Sequence, residues 1–354
     1  MCSVFASRPE INSVKPFLYD GIIPSRMKRI EKKRGLTFVL KILISGGLLA
    51  WLLHRIGPDY ILSSVEHANW IWVLAALVLF TSSYFLGSLQ WWILLKAEGI
   101  QIPFYQTIRF YYVGLFFNNF FISNLGGDVF RMVDIRRYAD NGASAVSTVF
   151  LDRVMGLLMM SGMAVLAAPF LYLHRTDNLQ LLPFLLILIG AWTIILFTLF
   201  SKRFARPLVW LVTRITPERL HIKGREIYNK IYFFGRQRSC FIQVLVISLC
   251  VQSARILTHY LLGRSLGLHV SPLYFFLFIP VVAIMASLPV SIGGIGLREQ
   301  SAVILFGTVG MAASDATVME FLAYLVAIVT SIPGGLIFLA RDRVRSGWAE
   351  SSPA

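Results

Sequence analysis

Charged residues are scarce in this chain. Only 14% of its 354 residues are Asp, Glu, Lys or Arg, whereas about a quarter of a typical soluble domain is charged. Hydrophobic residues make up 56% of the chain, and its mean hydropathy is +0.69. Several apolar runs reach the roughly 20 residues that a helix needs to cross a bilayer. This composition excludes a soluble protein and predicts an all-α polytopic membrane protein.

Cysteines and catalytic motifs are also lacking. The three cysteines, Cys2, Cys240 and Cys250, have no paired spacing, which argues against a disulfide framework and a metal knuckle. The chain contains no P-loop, no complete dinucleotide fingerprint and no zinc-protease motif. Residues 263–267 match the nucleophile elbow of hydrolases only in spacing, because they follow a predicted membrane helix rather than a strand. We therefore expect no cofactor, no bound metal and no enzymatic activity.

Acidic residues are fewer than basic ones, 18 against 33, which gives a net charge of +15. The excess does not point to nucleic acid, because it lies in loops between apolar runs and not on a soluble face. Residues 1–35 form a basic leader, residues 201–239 a basic loop and residues 341–354 a short tail, whereas the alternate loops hold one basic residue each. By the positive-inside rule, the basic segments and both termini face the cytoplasm.

No Gly/Ser-rich or Pro-rich linker divides the chain, so residues 36–340 are expected to form a single transmembrane domain with about eight crossings. The segment 299–312 is short and crosses only if the preceding glycine turn belongs to its path. The expected segments are 36–53, 69–96, 144–172, 181–200, 240–263, 272–289, 299–312 and 316–339.

Residues 102–123 are aromatic and apolar but are interrupted by polar side chains. The loop charges require this segment to return to the side from which it came. We therefore expect a re-entrant or interfacial hairpin. Irregular backbone at membrane depth is tolerated only where protein or a water-filled cavity satisfies its polar groups.

The first polar break lies within residues 118–137. Glycine permits a positive φ and a close approach, and a helix that opens there directs free N–H groups and the positive end of its dipole at a ligand. Together with an arginine fork that matches phosphate oxygens, this pattern predicts a site for a lipid phosphate. The alternative is an ordinary cytoplasmic turn with a capping aspartate. The candidate residues are Asn119, Asn124, Gly126, Gly127, Asp128 and Arg131.

The second polar break repeats the pattern of two glycines, three residues and an arginine. Transporters often contain such weak internal symmetry, with the substrate held at paired discontinuous helices, so an internal repeat is one interpretation. The carboxylate and the arginine of this break either hold a cationic or zwitterionic head group or pair with neighbouring groups and fix the broken helix. The candidate residues are Ser291, Gly293, Gly294, Arg298 and Glu299.

Three further charged residues lie within predicted membrane helices. Asp152 and Arg153 lie near the edge of the hydrocarbon, and Arg255 lies in the middle of its span. A charge at membrane depth is costly unless it is paired or hydrated, so each is a candidate functional group. Alternatively, Asp152 and Arg153 only set the depth of their helix. Arg255 is expected to face the protein interior, where His259 is expected as an ordinary polar neighbour. The candidate partners of Arg255 are Asp152, Glu299 and Glu320.

Three runs resemble the hallmarks of a known family. Residues 124–131, 147–157 and 288–299 are similar to the lysylphosphatidylglycerol synthase transmembrane region, a flippase-like integral membrane family. The resemblance covers about residues 36–340. It implies a protein that moves a lipid, often an aminoacylated or glycosylated one, between leaflets. The aminoacyltransferase domain of two-part members is not expected, since only a short tail follows the last span.

The leading hypothesis is therefore a flippase-like transporter of lipids in a bacterial inner membrane that hydrolyses no ATP of its own. Lipid head groups would enter between the two polar breaks and pass along the candidate residues named above. One alternative is a membrane-embedded enzyme that modifies a lipid-linked substrate, and another is a non-transporting partner of an envelope-synthesis complex. A homo-oligomer is compatible with the sequence but is not indicated by it.

Overall fold

The computed structural model describes residues 66–120, 126–139, 142–174, 232–287 and 294–350, together with Ser63 and single positions within 186–193 and 229–230. The structure is all-helical in these ranges. The basic leader, the expected spans at 36–53 and 181–200, and most of the loop at 201–239 lie outside the described residues. The helices are α1 (Trp70–Ala97), α2 (Phe104–Phe120), α3 (Gly126–Ile135), α4 (Gly142–His174), α5 (Arg238–Ser265), α6 (Pro272–Ser287), α7 (Leu297–Gly307) and α8 (Ala313–Glu350).

Four of these helices, α1, α4, α5 and α8, are long and apolar enough to cross a membrane. They agree with four of the expected segments to within a few residues, except that α8 continues past the expected end at 339 into the predicted tail. Apolar residues cover all faces of α1: Ile71 and Val78 are exposed, whereas Ala76 and Phe80 are buried. An apolar surface on every face is typical of a helix that contacts lipid as well as protein. These features confirm a polytopic helical membrane protein.

Helices α1 and α5 pack against each other in opposite directions. The Asn69 N–H at the start of α1 donates to the Ser265 carbonyl at the end of α5, at 2.8 Å. At the other end, Lys230 Nζ lies 3.0 Å from Glu98 Oε2. The end with Glu98 and Lys230 is called the basic end below, because the expected basic loops connect there, and the end with Asn69 is called the opposite end.

Helices α2 and α3 form the first re-entrant hairpin. The chain enters from the basic end along α2 and returns along α3, because the Asn118 side chain accepts a 2.8 Å hydrogen bond from the Gly127 N–H and Ile135 packs against Phe110. A Cβ on Gly127 would collide with the Gly114 carbonyl group, so glycine permits this close backbone approach. The structure therefore contains a hairpin here, but its returning arm is α3, which lies beyond the segment 102–123 for which the hairpin was predicted. Residues 121–125 between the two arms are outside the described ranges.

Helices α6 and α7 form a second hairpin, which enters from the opposite end. The Phe306 ring lies 4.9 Å from that of Phe275 and 5.2 Å from that of Phe278, and a Cβ on Gly294 would collide with Ala286. The first arm was expected as a clear crossing at 272–289, and the second as a short crossing at 299–312 that includes the preceding glycine turn. With 16 and 11 residues, each is shorter than the roughly 20 residues that span a bilayer, and together they enter and return.

The described helices of the two halves are arranged as an inverted repeat. Helices α1 to α4 correspond to α5 to α8, with α1 antiparallel to α5. The packing is the same after exchange of the halves: α2 packs on α8 as α6 packs on α4, and α3 packs on α4 as α7 packs on α8. The internal repeat suggested by the glycine–arginine pattern is therefore present as an inverted repeat, an arrangement common in secondary transporters.

Candidate functional site

A cavity of about 340 Å³ lies between the inner ends of the two hairpins. Asn118 and Asn119 at the end of α2 line it, as do Ala286 and Ser287 at the end of α6. This volume is at the lower end of the range for small-molecule sites. The wall combines aromatic and aliphatic side chains with a ring of polar groups. Besides the two asparagines, the charged, amide and histidine side chains of the wall are Gln90, Arg131, Asp152, Arg153, Gln252, Arg255, His259, Arg298 and Glu320.

The first charge cluster comprises Gln90, Arg131 and Asp152. Arg131 Nη2 lies 2.8 Å from Asp152 Oδ2, and Gln90 donates a 2.9 Å hydrogen bond to Asp152 Oδ1. The Arg131 guanidinium lies 4.2 Å from the Trp91 ring centre, a favourable cation–π geometry. Only 4% of Arg131 is exposed. The carboxylate and the arginine therefore neutralise each other within the protein.

Asp128 extends this cluster to the neighbouring helix turn. Arg153 Nε donates a 2.8 Å hydrogen bond to Asp128 Oδ2, and Arg131 Nη1 lies 3.4 Å from Asp128 Oδ1. Asp128 lies in the first turn of α3, where a carboxylate is stabilised by the helix dipole. The predicted phosphate site at the first break thus already contains two carboxylates. They hold Arg131 in place, whereas about half of the Arg153 side chain is exposed.

The second charge cluster comprises His259, Arg298 and Glu320. Glu320 is completely buried. Its Oε1 lies 3.6 Å from His259 Nε2 and its Oε2 lies 4.0 Å from Arg298 Nε. These distances allow ion pairing but are too long for hydrogen bonds. Neither oxygen of Glu320 accepts a hydrogen bond from the described residues.

The two clusters occupy equivalent positions in the inverted repeat. In each half, the arginine is on the returning arm of the hairpin, the carboxylate is on the following long helix, and the third polar residue is on the first long helix. The arginine precedes the carboxylate by almost the same number of residues in both halves. In the first cluster, Asp152 accepts short hydrogen bonds from Arg131 and Gln90. In the second, no described residue donates a hydrogen bond to Glu320.

Arg255 lies on α5 between the two clusters. Its guanidinium is 5.0 Å from the Tyr84 ring centre, and its Nε has no hydrogen-bond partner among the described residues. The expected acidic partners of Arg255 were Asp152, Glu299 and Glu320. In the described structure none of the three lies within ion-pair distance of it. Arg255 therefore gives the cavity a positive charge that the described residues do not neutralise.

Glu299 stabilises the second hairpin. Its Oε2 accepts a 2.6 Å hydrogen bond from the Gly296 N–H at the start of α7. Gly294 and Gly296 have φ values of +77° and +83°, which favour glycine. Of the two interpretations of Glu299, the structure favours fixing the broken helix.

The remaining predicted residues are placed as follows. Asn119 donates a 3.1 Å hydrogen bond to the Ala327 carbonyl, which joins α2 to α8. Asn124, Ser291 and Gly293 lie outside the described residues. Gly126 begins α3.

Sequence reasoning missed Gln90 as a site residue and did not include His259 or Glu320 in the predicted lipid-binding site. The signal was present, because each is a polar or charged residue inside an apolar span, where such residues are functional candidates.

Comparison with known proteins identifies the family. Residues 38–334 match the family described as the Lysylphosphatidylglycerol synthase TM region. The chain belongs to this family. It is also similar to the UPF0104 membrane protein PH1989 of Pyrococcus horikoshii, with 24% identity over an alignment of 332 residues that covers 86% of this chain and 97% of the relative. The resemblance inferred from the three sequence runs is thereby confirmed.

Proposed function

We propose that this member of the family binds the head group of a membrane lipid in the cavity and moves the lipid between the two leaflets. The observation that carries the proposal is the position of the cavity. It lies between the inner ends of two hairpins that enter from opposite ends of an inverted repeat. Transporters built from such repeats hold their substrates between discontinuous helices near the bilayer midplane. The substrate class is a phospholipid, an aminoacyl lipid or a glycolipid.

The charges in the cavity support recognition of a polar head group. The first cluster is neutralised internally, whereas Arg255 remains unpaired among the described residues. Asn118, Asn119 and Gln252 add amide groups that can donate and accept hydrogen bonds. Arg255 is thus the side chain best placed to bind an oxygen of the head group.

The charge distribution supports an orientation within the membrane. The basic end carries Lys96, Arg136 and Lys230 beside the ends of α1, α3 and α5, and the positive-inside rule places such an end in the cytoplasm. We propose that the basic end is cytoplasmic, in a bacterial inner membrane, and that the first hairpin enters from that side.

A reconstitution experiment tests transport. The purified protein is placed in vesicles that contain trace fluorescent phosphatidylglycerol, lysylphosphatidylglycerol or glycolipid, and a membrane-impermeant quencher reports the fraction in the outer leaflet. We expect faster equilibration of at least one of these lipids than in protein-free vesicles. Equilibration at the protein-free rate for all three would contradict the proposal.

A pair of arginine variants links transport to the cavity. Arg255→Gln is expected to lower the initial rate about tenfold or more, because a charged hydrogen bond contributes about 1.5–3 kcal/mol and 1.4 kcal/mol corresponds to a factor of ten. Arg264→Gln is the control, since Arg264 is on the same helix but lies in the last turn at the opposite end. Equal rates for the two variants would remove the cavity from the transport path.

Lipid masses distinguish transport from catalysis. We propose that the protein modifies no lipid, so mass spectrometry of the vesicles after incubation should show unchanged lipids. A new lipid product would favour the membrane-embedded enzyme.

A further inference from the structure

The second charge cluster differs from the first by one titratable pair. In the first half, Asp152 accepts short hydrogen bonds from Arg131 and Gln90. In the second half, Glu320 takes the place of Asp152, His259 takes the place of Gln90, and no described residue donates a hydrogen bond to Glu320. A completely buried carboxylate without a donor is energetically costly. Protonation removes that cost, and histidine, unlike glutamine, can supply the proton.

The hydrogen bonding of His259 fixes where its first proton lies. His259 Nδ1 is 3.0 Å from the Arg255 carbonyl oxygen. A carbonyl oxygen only accepts, so Nδ1 must carry a hydrogen. The other nitrogen, Nε2, faces Glu320 Oε1 at 3.6 Å. In a neutral ring Nε2 is an acceptor, and two acceptors that face each other repel unless a proton lies between them.

One additional proton on the pair therefore removes the repulsion between His259 Nε2 and Glu320 Oε1. It resides either on Nε2, as an imidazolium paired with a carboxylate, or on Glu320, as a carboxylic acid facing a neutral ring. Both arrangements leave the pair neutral, and loss of the proton to water leaves it with one negative charge.

Gain or loss of this proton changes the charge of the pair, and therefore the attraction between the pair and the charged groups of the cavity. The groups that face the pair are Arg255 on α5, Arg298 and Glu299 on α7, Tyr84 on α1 and Tyr324 on α8. When Glu320 is ionised without a proton on His259, it attracts Arg298 and Arg255 more strongly. When the pair is protonated, both arginines are more available to an oxygen of a ligand.

We propose that His259 and Glu320 share one exchangeable proton and form a proton-binding site that controls head-group binding in the cavity. The proton-binding site stands on the geometry of the cluster alone. Only its coupling to lipid movement rests on the proposed function.

Proton counting tests the shared site without any transport. The purified protein in detergent is titrated between about pH 5 and pH 8.5, where histidine is the side chain that ordinarily titrates. We expect Glu320→Gln to bind one proton fewer per chain than the unmodified protein, although it removes no histidine. Glu320→Asp is the matched control and should retain the proton, because it retains a carboxylate.

A double variant tests whether the proton is shared. His259→Gln, which introduces the side chain found at Gln90 in the other half, should also lose one proton. The double variant Glu320→Gln/His259→Gln should lose one proton and not two. A Glu320→Gln protein that binds as many protons as the unmodified protein would overturn the proposal, as would a loss of two protons in the double variant.

A pH gradient across the vesicles tests the coupling. With fluorescent phosphatidylglycerol as the probe, the initial rate of the unmodified protein should differ at least threefold between inward and outward gradients. His259→Gln should lose this difference, while His269→Gln, at an exposed histidine in the loop after α5, should keep it. If Glu320→Gln does not fold, this comparison decides, and a full gradient response in His259→Gln overturns the proposal. A shared proton without movement of any lipid would contradict the proposed function and leave the proton site in place.

Discussion

Arg131 shows how a buried charge is stabilised at membrane depth. Its guanidinium contacts Asp152 and Asp128 and lies over the rings of Trp91 and Tyr111. Removing one partner of such an arrangement leaves the other charges buried and uncompensated, which costs more than the intact pair contributes. Arg131 therefore stabilises the junction of the first hairpin with α4, in addition to lining the cavity.

The contacts of Arg131 predict a large loss of stability on substitution. Arg131→Gln should lower the free energy of unfolding by about 3–5 kcal/mol, measured by thermal or denaturant unfolding in detergent. Arg136→Gln is the control, because Arg136 is exposed directly after the end of α3. Substitutions at such surface positions usually change the free energy of unfolding by less than about 0.5 kcal/mol. Similar losses of unfolding free energy in the two variants would show that the buried contacts of Arg131 contribute no more stability than an exposed arginine does.

The sequence identified most residues of the first cluster but not their pairing. Asp128, Arg131, Asp152 and Arg153 were selected because charges are rare in apolar segments. Which carboxylate meets which arginine depends on how the returning arm packs against α4, and no local pattern encodes that packing. Gln90 was missed because a single uncharged amide in a long span is a weaker signal than a charge.

At the scale of helices, glycines determine how closely α2 and α8 approach. A Cβ on Gly334 would collide with the Tyr112 carbonyl group, and one on Gly335 would meet the Phe116 ring. Small residues at such contacts are a general means of packing membrane helices. The first hairpin is therefore fixed to α8 through backbone contact.

Two glycine substitutions test this packing. Gly334→Ala should destabilise the protein by about 1–3 kcal/mol, since the added methyl group forces the backbones apart. Gly162→Ala, in the middle of α4, meets no atom within 4 Å and should be neutral or stabilising by up to about 1 kcal/mol, because alanine favours helix more than glycine does. Unfolding in detergent measures both. An unchanged Gly334→Ala protein would show that α2 and α8 can separate at no cost.

Both hairpins were predictable only in part. Loop charges required 102–123 to return to the side from which it came, whereas in the structure α2 occupies the described part of this segment and α3 is the returning arm. For α6 and α7, loop charges do not distinguish two full crossings from one hairpin. Both arrangements bring the chain back to the same side of the membrane before α8. The lengths of the two arms favour one hairpin, because 16 and 11 residues are each fewer than the roughly 20 that span a bilayer.

For the whole molecule, the contact between Glu98 and Lys230 joins the first half to the start of the second at the basic end. Burial raises the pKa of Glu98 from 4.5, and the hydrogen bond and charge of Lys230 oppose this shift only in part. Because the folded-state pKa is raised, protonation of Glu98 stabilises the folded protein. That contribution is complete below about pH 4.5 and is lost as the pH rises through the raised value.

The unfolding temperature should report this linkage. The difference between the unmodified protein and Glu98→Gln should become less favourable to the unmodified protein as the pH rises from about 4.5 to 7. Lys230→Gln should extend this decline to higher pH, because it removes the cation that lowers the pKa of Glu98. A difference that is constant with pH, or that changes in the opposite direction, would contradict the assigned shift.

The repeated glycine–arginine pattern indicated a duplication, but its inverted sense required the three-dimensional packing. A pattern of six residues does not show in which direction the chain runs through the membrane at that point. The direction follows from the antiparallel contact of α1 with α5, which joins Asn69 to Ser265.

The close contact between Gly114 and Gly127 has a mechanical consequence. With the two backbones touching, the arms of the first hairpin cannot slide past each other without breaking that contact. Any motion of the hairpin relative to α4 and α8 must then displace α2 and α3 together. It would also have to break the contact of Gly334 with Tyr112 and the ion pair of Arg131 with Asp152.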